Sequence, residues 1–392
     1  MGEIKQVYFF TEYFPYGYGE TFIEHEWPVW EQEKVKLNVV PFTLTNEKRS
    51  IGSKHKLVDT AGLNHLTDYT LRRVPLRLIL AAIQICVTEA FSRKIKWRFT
   101  ISTLFREAYL AKKLLDRLPA IKDATCYSYW CAHWMLRLSL LKKAGYLKQL
   151  ICRVHGFDLY SERHQRNVIP YQKSMLKSAD EVYAISLHGL NYLKDKFKLN
   201  HVKLSRLAVP DYGLGTPING GEQIHLVSCS ALVEVKRVHL IIKALQQVNR
   251  PVNWVHFGSG NLFQELQKLA NRLPSNIQVE WKGQVTNTEV LTYYQTNPVH
   301  LFVNTSSSEG IPVSIMEAMS FGIPVAASAV GGIPEIVNEQ NGFLLNRDMV
   351  SEELSSILTN YKTEDTKRKA ARNMYLKNYS IRNYVDLIRT IS

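Results

Sequence analysis

No stretch of this sequence reaches the run of about 18 apolar residues that a membrane-spanning helix needs. The longest candidate, Leu78 to Val87, has about half that length. Cysteine is sparse. Cys86, Cys126, Cys131, Cys152 and Cys229 are odd in number, scattered and without metal-ligand spacing. That pattern excludes a disulfide framework and fits a reducing cytoplasm. No signal peptide is expected, because Met1-Gly2-Glu3-Ile4-Lys5 passes directly into Val7-Tyr8-Phe9-Phe10. No Asp-x-Asp pair stands in a plausible place, so neither a metal nor another cofactor is expected. Acidic residues are outnumbered, 35 against 49 Lys and Arg, a formal charge of +14. Such a balance implies an acidic partner: nucleic acid, anionic lipid or a phosphorylated substrate. No nucleic-acid motif is present, so nucleic acid is not expected among the partners.

What is present is a soluble, globular composition, 45% hydrophobic and 21% charged, over 392 residues. That length makes two domains the default. The sequence is organised around Ser307 to Met319. The apolar run Val299-His300-Leu301-Phe302-Val303-Asn304 reads as a buried parallel strand. Glu309-Gly310-Ile311-Pro312 then turns the chain, with Pro312 suited to a first helical position. Val313, Met316, Ala318, Met319 and Phe321 follow at helical spacing up to Gly322. A helix N-terminus just past a parallel strand is a natural phosphate seat. Glu309 before it and Glu317 inside it would repel a phosphate, so each needs another role. An ionised carboxylate accepts two hydrogen bonds from a vicinal diol. Two diols with a phosphate group between them describe a nucleotide sugar.

The two Glu lie within Glu309-Gly310-Ile311-Pro312-Val313-Ser314-Ile315-Met316-Glu317-Ala318-Met319-Ser320-Phe321-Gly322-Ile323-Pro324-Val325. Gly331-Gly332-Ile333-Pro334-Glu335 and Asn341-Gly342-Phe343-Leu344 follow. This pattern resembles the retaining GT-B glycosyltransferases of family 4, densely over residues 222–345 and more loosely over 5–30 and 125–210. The resemblance implies an α/β GT-B fold, two doubly wound Rossmann-like domains facing each other across a cleft. The acceptor domain would span 1–212 and the donor domain 213–374, with a terminal helix, 375–392, packing back on the first. The Gly/Pro-rich stretch 211–221 reads as the linker.

On the family's pattern, Glu317 holds the ribose diol and Glu309 the hydroxyls of the transferred sugar. Gly310, Ile311, Pro312, Val313 and Ser314 line the donor at the helix start. Lys236, at a strand-to-helix turn, pairs with the diphosphate. The Arg usual in that loop is replaced by Ala231, and Arg237 is the candidate substitute. Gly17 and Gly19 in the first loop face the diphosphate. His155, in Arg153-Val154-His155-Gly156-Phe157-Asp158, lies beside the anomeric carbon, supported by Asp158 and Arg163. Gly258-Ser259-Gly260 lacks the third glycine of a dinucleotide fingerprint and reads as close backbone packing near the donor. Gln284 and Val285 end the segment whose backbone meets the base.

Residues 70–117 hold eleven Lys or Arg against Glu89, Glu107 and Asp116, a net +8, interleaved with apolar residues at helical spacing. An anionic membrane surface is the expected partner; solvated helix faces around an ordinary core remain the other reading. The expected function is transfer of a sugar, with retention, from a nucleotide sugar, a UDP-sugar, to a glycan or lipid-linked acceptor at the cytoplasmic membrane face. Two alternatives stay open: a sugar-nucleotide epimerase on the same fold, and a non-catalytic partner on a degenerate scaffold, which Ala231 keeps in play.

Overall fold

The computed structural model describes residues 5–17, 20–67, 69–90, 97–218 and 221–391. Gly19, Arg93, Lys94, Lys96, Asn219 and Gly220 lie outside them. The chain divides into two compact units, Met1–Ser205 with Tyr384–Ser392, and Arg206–Asn383.

The first unit is built on a parallel sheet. Its strands are β1 (Lys5–Thr11), β2 (Val35–Pro41), β3 (Lys56–Leu57), β4 (Thr125–Ser128), β5 (Gln149–Val154), β6 (Glu181–Ala184) and β7 (Val202–Leu204), in the order β3-β2-β1-β4-β5-β6-β7. Val7, Tyr8, Phe9 and Phe10 are all buried, as a strand covered on both faces requires. Helices α1 (Phe22–Gln32), α2 (Leu76–Ala90), α3 (Trp97–Arg117), α4 (Trp134–Lys143), α5 (Gly156–Leu159), α6 (Gln172–Ser178) and α7 (Leu187–Phe197) cover it. Leu78, Ala82, Leu114, Leu138 and Leu150 belong to one core with Phe10. The strand order reverses between β1 and β4.

The second unit repeats the plan with β8 (Ile224–Cys229), β9 (Val252–Phe257), β10 (Ile277–Gly283), β11 (Leu301–Asn304), β12 (Val325–Ser328) and β13 (Gly342–Leu345). The order is β10-β9-β8-β11-β12-β13, so the reversal falls between β8 and β11. Its helices are α8 (His239–Leu245), α9 (Phe263–Ala270), α10 (Asn287–Thr296), α11 (Val313–Ser320), α12 (Ile333–Ile336), α13 (Val350–Thr359) and α14 (Asp365–Asn378). In open parallel sheets, ligands bind beyond the strand C-termini at such reversal points. Each unit therefore has one edge at which to look for chemistry.

Three boundaries differ from the expected ones. The division falls between Ser205 and Arg206, not at 212/213. Residues read as a linker pack instead on the second unit: Tyr212 stacks on Phe321, the Gly215 N–H donates to the Phe321 carbonyl at 3.0 Å, and Thr216 Oγ1 donates to the Gln295 carbonyl at 2.6 Å. Gly215 serves a close approach, since a Cβ there would stand 2.7 Å from the Tyr294 carbonyl oxygen. The expected single helix 375–392 is broken. Most of its first part is the end of α14 in the second unit, and a final helix, α15 (Val385–Ile391), belongs to the first.

Candidate functional site

In the second unit the loop after β8 carries Lys236 and the loop after β11 carries Glu309, one on each side of the reversal. They meet. Lys236 Nζ lies 2.5 Å from Glu309 Oε1. Gly331 makes the approach of the Glu309 main chain feasible: it has φ +54°, and a Cβ there would come within 1.9 Å of the Glu309 carbonyl oxygen. Gly332 N–H then donates to the Gly310 carbonyl at 2.8 Å. Gly310, Ile311 and Pro312 are buried beneath this turn, and half-buried Val313 and Ser314 open α11. Pro312 is the N-cap rather than the first helical residue, and no side chain caps this end. The first turn therefore keeps its positive dipole end without a carboxylate or hydroxyl cap.

Glu317, on α11, is buried, and its Oε1 accepts a 2.7 Å hydrogen bond from Asn287 Nδ2. Asn287 opens α10, whose N-terminus is fixed by the reciprocal Thr286–Glu289 capping box. Burial, reinforced by the charge of Glu317, pushes the Tyr212 hydroxyl pKa up and the Cys229 thiol to about 12.

Arg237, the candidate substitute for the Arg replaced by Ala231, is held by the backbone around it. Its Nε, Nη1 and Nη2 donate to the carbonyls of Thr305, Arg347 and Ser306 at 2.8, 3.2 and 3.2 Å, and Nη2 also reaches Ser328 Oγ. It ties the β11 loop in place, as expected of a planar fork surrounded by carbonyls. Gly258, at φ +127°, packs so tightly that a Cβ would stand 2.0 Å from the Ser230 carbonyl oxygen, and at Gly260 the corresponding distance, to Leu232, is 2.3 Å. The glycine pair thus brings the ends of β8 and β9 together. Gln284 is exposed and Val285 half-buried just beyond β10.

In the first unit, His155 follows β5 and is buried. Its ring lies against Trp130, Tyr129 and Phe22, with centroids 4.3, 4.9 and 5.9 Å away. Burial, and then the charge of Arg153, hold its pKa well below the usual histidine value, so the imidazole is neutral. Neither ring nitrogen has a hydrogen-bond partner among the described residues. Asp158 fixes the main chain here. It accepts from the N–H of His155 at 2.6 Å and from that of Cys131 at 2.7 Å, joining the β5 and β4 loops. Arg163 lies over the Tyr160 ring, 5.4 Å from its centroid.

Gly17 has φ +57°, and its N–H donates to the Glu47 carbonyl at 2.9 Å. The neighbouring Tyr16–Lys48 bridge draws that loop onto residues 45–49. The residue that shapes the loop is Glu20, which the sequence did not single out. Its buried carboxylate accepts the N–H groups of Glu12, Tyr13 and Phe14 at 3.1, 2.7 and 2.5 Å, together with the Trp130 indole N–H. Glu20 thus links the β1 loop to the tryptophan on which His155 rests.

Comparison with known proteins bears on the family and the fold. Residues 217–374 match the family model described as glycosyl transferases group 1. The putative colanic acid biosynthesis glycosyltransferase WcaL of Salmonella typhimurium is 24% identical over 220 residues, which are 52% of this chain and 53% of that protein. The chain thus spans about half the length of this relative. Among solved structures, the apo lipopolysaccharide outer core galactosyltransferase WaaB superposes with a TM-score of 0.72 at 14% identity, covering 98% of this chain and 99% of that one. HepE of Anabaena, solved in complex with UDP, gives 0.66 at 14% identity and 98% coverage of both chains. The fold is that of the GT-B glycosyltransferases.

Proposed function

We propose, from the premise that residues 217–374 are a glycosyl transferases group 1 domain on a GT-B fold, that this chain is a retaining glycosyltransferase. It moves a sugar from a UDP-sugar to a glycan or lipid-linked acceptor at the cytoplasmic face of a membrane. The observation that carries the reading is the meeting of Lys236 with Glu309 beside the uncapped start of α11, with Glu317 one turn further along the helix. UDP is favoured among the nucleotides because HepE, a fold neighbour, binds it.

Glu317, held through Oε1 by Asn287, takes the ribose diol. Glu309 takes hydroxyls of the transferred sugar, which frees Lys236 to face the diphosphate. As the bond from the anomeric carbon to the diphosphate oxygen breaks, Lys236 and the α11 dipole stabilise the developing negative charge. The acceptor hydroxyl attacks on the same face and passes its proton to the departing phosphate oxygen. In the first unit, His155 is a neutral imidazole able to donate a hydrogen bond without adding charge. The proposal draws its positive charge from Lys236 and the helix start, and activity is expected to persist in EDTA.

The test is calorimetric titration and thermal shift with UDP, GDP, ADP and their sugar conjugates, using Glu317→Ala and Glu309→Ala as controls. At 100 times its dissociation constant the right nucleotide should stabilise the protein by about 2.7 kcal/mol, and Glu317→Ala should abolish the shift. Unchanged binding and transfer in both variants would sink the reading. Binding that responds to Glu317→Ala without any transfer product would favour the non-catalytic scaffold, for which the exposed Ala231 is the supporting feature. An isomerised donor sugar among the products would identify an epimerase.

A further inference from the structure

Helix α2 carries apolar side chains on two faces. Leu78, Ala81, Ala82 and Ile85 are buried in the core of the first unit. On the other face Leu76, Leu80, Ile83 and Val87 are 68, 57, 45 and 54% exposed. At about 100° per residue these four fall within a stripe roughly 60° wide. Its apolar surface is thus wider than the one face its core contacts use, and among the described residues the second face is exposed.

Two further features define the stripe. A cleft of about 180 Å³ between α2 and α3 is lined by apolar side chains, among them Ile83, Cys86 and Val87 of α2 and Ile101, Leu104 and Phe105 of α3. Ile83 and Val87 belong to both, so the cleft opens onto the exposed face. Along residues 71–90 the exposed charges have one sign. Arg72 and Arg77 are exposed, whereas Glu89, the one carboxylate in that span, is buried and accepts from Ser174 Oγ at 2.8 Å.

We infer that this face seats on an anionic phospholipid bilayer. Leu76, Leu80, Ile83 and Val87 enter the boundary between headgroups and acyl chains, the α2–α3 cleft receives acyl segments, and the arginines meet the phosphates. A second copy of the chain is the poorer occupant, since a twofold contact through this face would offer Arg72 and Arg77 no exposed carboxylate from residues 71–90 of the partner copy, Glu89 being buried. The inference supplies a surface for the membrane location proposed above, but it rests on these residues alone and requires no transfer chemistry.

The experiment is co-sedimentation of the full chain with phosphatidylcholine vesicles, with and without phosphatidylglycerol. Binding is expected only when phosphatidylglycerol is present, and it should weaken as salt rises. Leu80→Gln/Ile83→Gln should reduce binding at least tenfold, to roughly the level left by attraction to the headgroups alone. Arg72→Gln/Arg77→Gln should reduce it by about 30-fold, the effect of two charges at the surface. Both double variants should keep the wild-type thermal midpoint and nucleotide binding, because these side chains are exposed and lie outside the donor site. Wild-type protein that ignores anionic vesicles, or variants that bind like wild type, would overturn the inference. So would a wild-type dimer that Leu80→Gln/Ile83→Gln dissociates without any vesicle binding. Vesicle binding that persists in a protein with no nucleotide affinity would leave this inference standing and remove the transfer reading.

Discussion

Each unit of this molecule holds a carboxylate–cation pair, and the two pairs differ in what surrounds them. In the first unit, Arg153 Nη1 contacts both oxygens of Glu26, at 2.8 and 2.9 Å, with side chains 0 and 1% exposed. Tyr129 donates to the same carboxylate, and the guanidinium lies over the rings of Tyr129 and Tyr384. In the second unit, Lys236 meets one oxygen of Glu309, with side chains 25 and 10% exposed. The first pair is sealed and multiply held, so no ligand can replace either partner. The second is a single contact on two loops, and a ligand hydroxyl and phosphate can take over both ends. The difference separates a structural ion pair from one available for binding, although both couple a carboxylate to a cation.

The largest test of that contrast is Arg153→Met. It strands Glu26, whose carboxyl pKa burial already raises, and should cost about 3–5 kcal/mol in urea denaturation. Adding Glu26→Leu should return most of the loss, because a buried pair replaced by apolar side chains is often close to neutral. Lys236→Met, by contrast, should cost no more than about 1 kcal/mol of stability while removing nucleotide binding. Equal destabilisation by the two single variants would erase the distinction.

A smaller effect involves pH. Asp158 is fully buried beside His155, and burial raises its carboxyl pKa to about 6 against the opposing pull of the Cys131 and His155 N–H groups. Because the folded-state pKa is the higher one, the folded protein holds this proton more tightly than the unfolded chain does. Its stabilising contribution is therefore complete below about pH 4 and is lost as pH rises towards 6, by up to about 3 kcal/mol. The difference in stability between wild type and Asp158→Asn should decline across that window and level off above it. A difference that stays constant from pH 4 to 7 would show that the carboxyl keeps its ordinary titration.

These contrasts also show what a sequence reading can reach. The β11–turn–α11 segment was legible because strand, turn, helix and both Glu are consecutive, and local periodicity places them on one sheet edge. His155 was legible because a strand end leads directly into it. Glu20 and Asn287 were not, since each acts on a residue far along the chain: Glu20 on Trp130 and Asn287 on Glu317. Only the sheet order brings them together. Arg237 shows a further limit. A cation beside a phosphate-seating loop invites a phosphate role, and the sequence does not show the three carbonyls that its guanidinium meets. Glycines misled in the same way, because 211–221 has the composition of a tether whereas Gly215 permits close packing.

The mildest expected effect tests whether the donor half of the site is positioned by side chains or by the backbone alone. Asn287 Nδ2 donates to Glu317 and helps to hold it in the free protein. A hydrogen bond to a charged acceptor contributes about 1.5–3 kcal/mol, and partial exposure of Asn287 reduces it, so Asn287→Ala should weaken UDP affinity by about tenfold. The thermal midpoint should barely move, because the Thr286–Glu289 capping box holds the start of α10 without Asn287. Asn287→Asp should do more harm than the alanine variant, since it sets a second carboxylate against Glu317. Calorimetric titration of both variants separates the possibilities. Wild-type affinity in Asn287→Ala would mean that Glu317 is aimed without Asn287, by the framework around α11. The donor half would then owe its geometry to the same kind of buried framework that holds Glu26 and Arg153.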